Sequence, residues 1–533
     1  MRRPSALRSS ERAARAHVLK SVLSYATVVS IASIGVLAGA CGDDTESKTS
    51  GGSGGASNSS GGQGGEGLGD FVTSAASTSA TGASSSSSGG GVTCKAPDPN
   101  GGATTLAQRY GDAAAQSGGS VFVDKAGNIL LAGAFEGSID FGGGALNSAG
   151  KADMYIAKLN PQGQLLWSKR FGDGYNQSAT GIAADADGNV IVTGIFIGTV
   201  DFGVGPLTSD TIFFQDVFIA KFNPDGAATW SKKFGDKNIQ YSRSVAVDPI
   251  GNIVIAGYFQ NDVDFGGGVL SSAGGSTFDG FVAKFNSGGQ HQWSKRFGDL
   301  TDQAARQVVV DGAGSVYVAG EAAGSVDFGA GPVPALGGPS AFVAKLDAQG
   351  VSQWTKVSVG APMSKASAHG VAVSPSGNVA VVGSFQGDFD FGGGKFMNFD
   401  LDDIFVTILG ADGSHKSTKR YGDPELQQAE GVVFAPNGDV IIGGGFTGQV
   451  DFGGGPVTSL GGFDGFLARL DATGCATWRR TYGGPTVQTI QTIALDAVGG
   501  RVLVTGTFNG DTDFGLGTLT AAGDDAFVLG VKQ

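Results

Sequence analysis

The stretch "GQVDFGGGPV", residues 448–457, contains the triplet Asp-Phe-Gly, which occurs seven times in the 533-residue chain. The triplet aspartates are Asp140, Asp201, Asp264, Asp327, Asp390, Asp451 and Asp513, with successive gaps of 61, 63, 63, 63, 61 and 62 residues. A fixed period of this length marks a repeat architecture, in which each unit buries its apolar surface against its neighbours. Other segments keep the same beat. "GNILLAG" (127–133) precedes the first triplet, and "MYIAKLNPQG" (154–163) and "WSKRFGD" (167–173) come after it. Close variants of all three flank most of the later triplets.

Each unit holds four short apolar runs separated by turn chemistry such as Asp-x-x-Gly-Asn and Asn-Pro-x-Gly. "NVIVTG" and "NIVIAG" are apolar without alternation, so both faces must be buried, while "WSKRF" alternates as an outer strand with one wet face does. No stretch carries a helical period. Seven units of four antiparallel strands predict an all-β fold, a seven-bladed β-propeller. The last unit stops at "DDAFVLGVKQ" without its Trp-type fourth strand, while "TTLAQRYGD" (104–112) has the ending of such a strand with no unit before it. Residues 104–110 therefore supply the missing outer strand of the seventh blade. The ring is closed by the N-terminal strand joining the C-terminal blade, which leaves no open sheet edge.

From about residue 104 to the end, the chain resembles the bacterial seven-bladed β-propeller repeat (SBBP-type) family, on its repeated "D…GN…G" signature. The resemblance implies the fold and an extracytoplasmic setting and assigns no activity. The Asp-Phe-Gly element is extra to that signature. It is not a kinase triplet: it comes in seven copies in an all-β frame with no phosphate-binding loop.

The remaining segments read as export and tether. Residues 1–40 hold six Lys/Arg and one acid, and the apolar run "VLSYATVVSIASIGVLAGAC" ends at Cys41. That is a basic n-region, an apolar core and a small-residue cleavage site. "LAGAC" resembles the lipobox of bacterial lipoproteins, with Ala38 in the place usually held by Leu, which implies lipidation of Cys41. An ordinary secreted protein and an uncleaved anchor are the alternatives. Residues 41–100 are expected to be a disordered Gly/Ser-rich tether, too poor in apolar residues to offset the entropy of ordering. About fifty such residues reach roughly 40 Å. The expected domains are thus a signal peptide (1–40), the tether (41–100) and the propeller (101–533), lipid-anchored to the cell envelope at the outer membrane, facing periplasm or exterior. The chain's net charge is −13, and removing residues 1–40 takes it to −18, which excludes nucleic acid as a partner. A monomer is expected.

Several residue sets could carry chemistry. A second acid comes 12 to 15 residues after each triplet: Asp153, Asp216, Asp279, Asp403, Asp464 and Asp525, with Ser340 in the fourth unit. Pairs such as Asp140/Asp153, Asp201/Asp216 and Asp264/Asp279 flank a Gly-rich loop and could share calcium with loop carbonyls. The competing reading makes each triplet Asp a clamp for loop N–H groups and each Phe a plug between blades. Otherwise no cofactor is expected. Cys94 and Cys475 flank the predicted closure and are disulfide candidates, against two free thiols. A glutamine ring (Gln116, Gln177, Gln240, Gln303, Gln427, Gln488, with Ala366 in the fifth unit) precedes each inner strand. Three residues on lies a variable ring: Gly119, Thr180, Arg243, Arg306, His369, Glu430 and Gln491. Both should sit near one mouth of the central channel. Arg243, Arg306, His369 and Glu430, with Gln177, Gln240 and Gln303, are the candidate ligand-binding residues; the repetition of the glutamines points instead to a structural hydrogen-bonding role for that ring. Trp167, Trp230, Trp293, Trp354 and Trp478 read as blade packing. No catalytic constellation is recognisable. The expected function is a tethered module that binds a protein, peptide or polysaccharide of the envelope. A propeller enzyme (a metal-assisted hydrolase or lyase with a channel-mouth site) and a passive structural lipoprotein are the rival readings.

Overall fold

Runs that are largely apolar without alternation become interior strands. Val190–Phe196 and Asp216–Phe222 are buried along nearly their whole length, whereas the alternating Ala228–Phe234 is mostly half-buried. The doubly buried runs therefore take the middle of each sheet and the alternating run its outer edge. The computed structural model describes residues 93–533, so the export segment, Cys41 and the tether up to residue 92 lie outside the described residues. Among the described residues there is no helix, and seven four-stranded antiparallel sheets form the blades. Their innermost strands are Gln116–Val123, Gln177–Ala184, Gln240–Val247, Gln303–Val310, Lys365–Val373, Gln427–Phe434 and Gln488–Asp496. We number the blades 1 to 7 in that order and the strands first to fourth outward. "Top" is the face carrying the fourth-to-first and second-to-third connections.

Blade 7 takes its fourth strand from the other end of the chain. Thr104–Tyr110 pairs antiparallel with Thr518–Lys532, Leu106 opposite Gly530 and Tyr110 opposite Ala526. Leu106 and Tyr110 are buried, and Arg109 forms an ion pair with Asp525. The segment just before this strand departs from expectation. Residues 94–100, expected as tether, are docked on blade 6: the Asp98 N–H donates to Thr477 O (2.8 Å), and Arg480 Nη2 donates to Pro99 O (2.9 Å). Cys94 is joined to Cys475 by a disulfide, with the Cα atoms 5.5 Å apart. The Gly/Ser composition that argues for coil ends before Cys94, and the disulfide and the hydrogen bonds to blade 6 hold residues 94–100 in place.

The Asp-Phe-Gly corner is a clamp and a wedge. Asp201 Oδ1 accepts the N–H groups of Gly203 (2.7 Å) and Gly205 (3.2 Å), closing the tip of a two-stranded ribbon between the second and third strands. Asp140, Asp264, Asp327 and Asp390 each hold the same pair of N–H groups. Phe202 lies between Phe171 on the outer strand of blade 1 (4.9 Å between centroids) and Phe218 of its own blade (5.0 Å). Blade 5 solves the problem differently, because Ser358 stands where the other outer strands end in Phe or Tyr. There Phe389 packs on Phe405 at 4.5 Å and on Phe391 at 5.9 Å. On the bottom face the tryptophans strap neighbouring blades. Trp167, Trp230, Trp293 and Trp354 each donate Nε1–H to a carbonyl in the next blade's turn, at 2.9–3.3 Å.

The second acids are fully buried and face a cation from the fourth strand. Asp153 pairs with Arg170 (2.9 Å) and Asp216 with Lys233 (2.9 Å); Asp279 pairs with Arg296 and Asp403 with Arg420. The cation always occupies one register position, opposite Tyr155, Phe218, Phe281 and Phe405. Blade 4 has lost both partners together: Ser340 replaces the acid and Val357 the cation, still opposite Phe342. Blade 6 kept the acid alone, with Thr481 opposite Phe466 and no base paired to Asp464 among the described residues.

Burial pushes the Asp464 carboxyl up to about 6. A carboxyl that binds its proton more tightly in the folded chain than in the unfolded one costs stability as pH rises. That cost begins near the ordinary Asp value of about 4 and is complete above 6. Thr481→Arg should therefore stabilise the propeller by about 1–2 kcal/mol at pH 7.5 and contribute almost nothing near pH 3. Denaturant titration at the two pH values checks this. An equal gain at both would mean that the arginine acts through packing alone.

Candidate functional site

In every blade the inner strand carries one residue more than its neighbour can pair. The register slips between Ala179 and Gly181, Ser242 and Ser244, Ala305 and Gln307, Ala368 and Gly370, and Ala429 and Gly431. The leftover residues are Thr180, Arg243, Arg306, His369 and Glu430, and Gln491 repeats the pattern in blade 7. A bulge of this kind breaks the pairing and re-aims one side chain. Thr180 and His369 reach along the channel wall to the next blade, while Arg243 and Arg306 meet partners in their own blades. Thr180 Oγ1 donates to Ser242 O (2.7 Å), and His369 Nδ1 lies 3.2 Å from Ala429 O.

Four consecutive bulges thus bring charge together. Arg306 Nη2 is 2.7 Å from Glu321 Oε1, and His369 Nδ1 is 3.3 Å from Glu430 Oε1. The Arg243 guanidinium lies 4.7 Å from the Tyr241 ring centroid and 5.6 Å from that of Tyr258, two rings stacked within 8°. None of the paired groups is sealed: the side chains of Arg306, Glu321, His369 and Glu430 are 22%, 30%, 13% and 36% exposed. Burial opposes every one of these charges, and the partners outweigh it. Glu430 holds His369 above the ordinary histidine value, His369 and Arg306 hold Glu430 below the usual carboxylate range, and Arg306 does the same for Glu321. The arc is therefore a wetted set of fixed charges, with donors and acceptors interleaved along one side of the channel.

The glutamines take the structural one of their two expected roles. Gln177, Gln240 and Gln303 do not line the opening, because their side chains are fully buried. Gln177 Oε1 accepts the Asp173 N–H (3.2 Å), and its Nε2 donates to Asp173 Oδ1 (2.7 Å) and Ile197 O (2.7 Å). Gln240 and Gln303 repeat the first two bonds with Asp236 and Asp299. The ring ties the fourth-to-first connection to the sheet. The intervening glycine is steric: a Cβ on Gly172 would stand 2.4 Å from both Asp153 Oδ1 and Gln177 Oε1.

The calcium candidates Asp140, Asp153, Asp201, Asp216, Asp264 and Asp279 are each engaged in the blade. The triplet acids hold backbone N–H groups, and the second acids hold Arg or Lys. Among the described residues no group of three or more His, Cys, Asp or Glu side chains is arranged to hold a metal ion. One member of the charged arc escaped the reading by spacing: Glu321. It is the single acid among the second strands' apolar cores, at a place held by Ala134, Ile195, Tyr258, Ser384, Gly445 and Thr507 in the other blades. Alignment of the seven second strands would have exposed it.

No family model matches the chain, so the resemblance to the bacterial seven-bladed repeats rests on the repeat signature itself. An uncharacterized WD repeat-containing protein of Acanthamoeba polyphaga mimivirus is 32% identical over 146 residues, covering 26% of this chain and 10% of that protein. The regulatory protein FlaEY of Caulobacter vibrioides is 24% identical over 185 residues, covering 34% of this chain and 19% of its own length. The chain thus spans only a fifth or less of each of these relatives. Among solved structures, the Neurospora crassa Pan2 WD40 domain has a TM-score of 0.40 at 10% identity, over 78% of this chain and 89% of that one. Sqt1 from Chaetomium thermophilum has a TM-score of 0.36 at 12% identity, over 81% and 99%.

Proposed function

We propose that the protein is a non-enzymatic binding or scaffolding propeller, exported and lipid-anchored through Cys41 at the outer membrane, whose ligand is recognised at the top mouth of the channel. The ligand is a protein, peptide or polysaccharide of the cell envelope. The observation that carries this reading is the bulge ring. The scaffold residues repeat from blade to blade, whereas the position that the bulge frees from pairing varies, turning ionisable in blades 3 to 6. A scaffold needs its repeated parts alike, whereas a recognition surface needs local differences. The WD-repeat character of the mimivirus relative agrees with a binding role, and the basic leader, the Cys41 lipobox and the Gly/Ser tether support the setting.

The test is thermal unfolding of the full chain against envelope glycans and peptides, in which a saturable rise in midpoint reports binding to the native state. Substituting Arg243→Ala, Arg306→Ala and Glu430→Gln together should abolish that rise while the far-UV circular dichroism stays that of the parent. A rise that survives the triple substitution rejects the channel arc. A midpoint that responds to calcium and chelator instead would reassign the paired aspartates as metal ligands.

A further inference from the structure

Four acids in the bottom turns between first and second strands are ion-paired, whereas five acids in the top fourth-to-first connections are not. On the bottom, turn acids are neutralised within the blade: Asp124 by Lys158 (3.2 Å), Asp185 by Lys221 (2.9 Å), Asp248 by Lys284 (2.9 Å) and Asp439 by Arg469 (2.8 Å). On the top, Asp112, Asp173, Asp236, Asp299 and Asp423 occupy equivalent places in five fourth-to-first connections, and none of the five forms an ion pair among the described residues. Their oxygens accept N–H, amide and hydroxyl hydrogens from the loop, which fixes them in place and leaves the negative charge standing. Burial would raise Asp299, but Thr301 and Ser325 outweigh it and hold the carboxyl at about 2. Among the described residues these connections contain one base, Lys237.

The same face presents apolar side chains on a built support. In blade 2, as in blade 3, the spacing from the triplet Asp to the second-acid position is 15 residues, against 13 in blades 1, 4, 5 and 6 and 12 in blade 7. The blade 2 loop carries Ile212, Phe213 and Phe214, which are 54%, 77% and 40% exposed. Thr211 Oγ1 accepts the N–H groups of Phe213 and Phe214, both at 3.1 Å, and Lys233 ties Asp210 to Asp216 at the loop's base. Leu300, in the connection between blades 3 and 4, adds a side chain 73% exposed. Two aromatic rings held out in water by a hydrogen-bonded turn cost free energy that a partner would recover.

We infer that the top rim docks a cationic polypeptide segment bearing apolar side chains, the apolar ones packing on Phe213 and Phe214 and the basic ones facing the aspartate ring. This rests on the top-mouth reading and names the partner's chemistry. An anionic lipid surface fits less well, because the unpaired aspartates would face its headgroups.

The test uses the full chain and a labelled Lys/Leu amphipathic peptide, with Glu/Leu and Lys/Ser peptides as controls, read by fluorescence anisotropy. The Lys/Leu peptide should bind, weaken with added salt, and lose about tenfold in affinity with F213S and F214S combined. Ile250→Ser, an exposed position on the bottom face, should leave binding unchanged. Equal binding of the Glu/Leu peptide, or unchanged affinity in the Phe213/Phe214 variant, overturns the inference. So does binding to phosphatidylglycerol vesicles that disappears in that variant, which would assign the tip to lipid. Peptide affinity lost in the Arg243→Ala, Arg306→Ala variant but retained in the Phe213/Phe214 variant would keep the channel reading and reject the rim.

Discussion

Phe202→Ala is expected to lower the stability of the propeller by about 3–5 kcal/mol, the usual cost of emptying a buried aromatic site. Phe202 is buried, and its ring sits between Phe171 of one blade and Phe218 and Phe222 of the next. Deleting it leaves a void between two sheets. Neither sheet can slide in to fill that void without opening the closed ring elsewhere, so the cavity penalty stays near its upper end. Phe202→Leu keeps most of the volume and should cost less than half as much. Phe391→Ala in blade 5 should also cost less, because Phe389 already covers Phe405 there. Guanidinium titration of the three variants measures the series. A Phe202→Ala cost under about 1 kcal/mol would show that the Phe is a surface plug and that the blades are held by their polar straps.

The fold was legible because its physics repeats. A run buried on both faces, an alternating outer run and a turn signal between them recur seven times, so an error in one unit is corrected by the other six. The split of one unit between the termini exposed the closure in the same way. The clamp and calcium readings of the corner Asp were legible as alternatives, and Asp201 accepts the N–H groups of Gly203 and Gly205 as the clamp reading expects. The site was legible only in part. Spacing put Arg243, Arg306, His369 and Glu430 at one position of the repeat, but pairing statistics do not announce a bulge. The slip that turns these residues out of the sheet is a property of the backbone. Repetition pointed to a structural role for Gln177, Gln240 and Gln303, and position at the channel mouth pointed to a ligand. A polar residue just ahead of an inner strand looks like a channel liner until its amide is seen to be used up by the connection it holds. Glu321 was missed because it lies inside a stretch otherwise read only as apolar core.

The ring is closed within blade 7 by Thr104–Tyr110 on Thr518–Lys532, and the Cys94–Cys475 bond ties the segment just before that closing strand to blade 6. The bond spans 381 residues of sequence, so in the unfolded chain it closes one of the largest loops available. Loop-closure entropy then puts its contribution at about 6 kcal/mol. Replacing both residues by Ser should therefore lower stability by about that amount and leave the native fold intact. The closing strand keeps its other attachments: Leu106 and Tyr110 stay buried, Arg109 stays on Asp525, and Trp478 stays packed against Gly101 and Gly102. A reductant added to the parent should reproduce the loss, and limited proteolysis should then cut first between residues 94 and 104, where the docked segment can peel from blade 6. The order matters as much as the size. If the loss came with altered circular dichroism, the bond would be needed to place the strand rather than to restrain the unfolded chain. If parent and double-Ser protein unfolded at the same denaturant concentration, with or without reductant, the closure would be held by the strand alone.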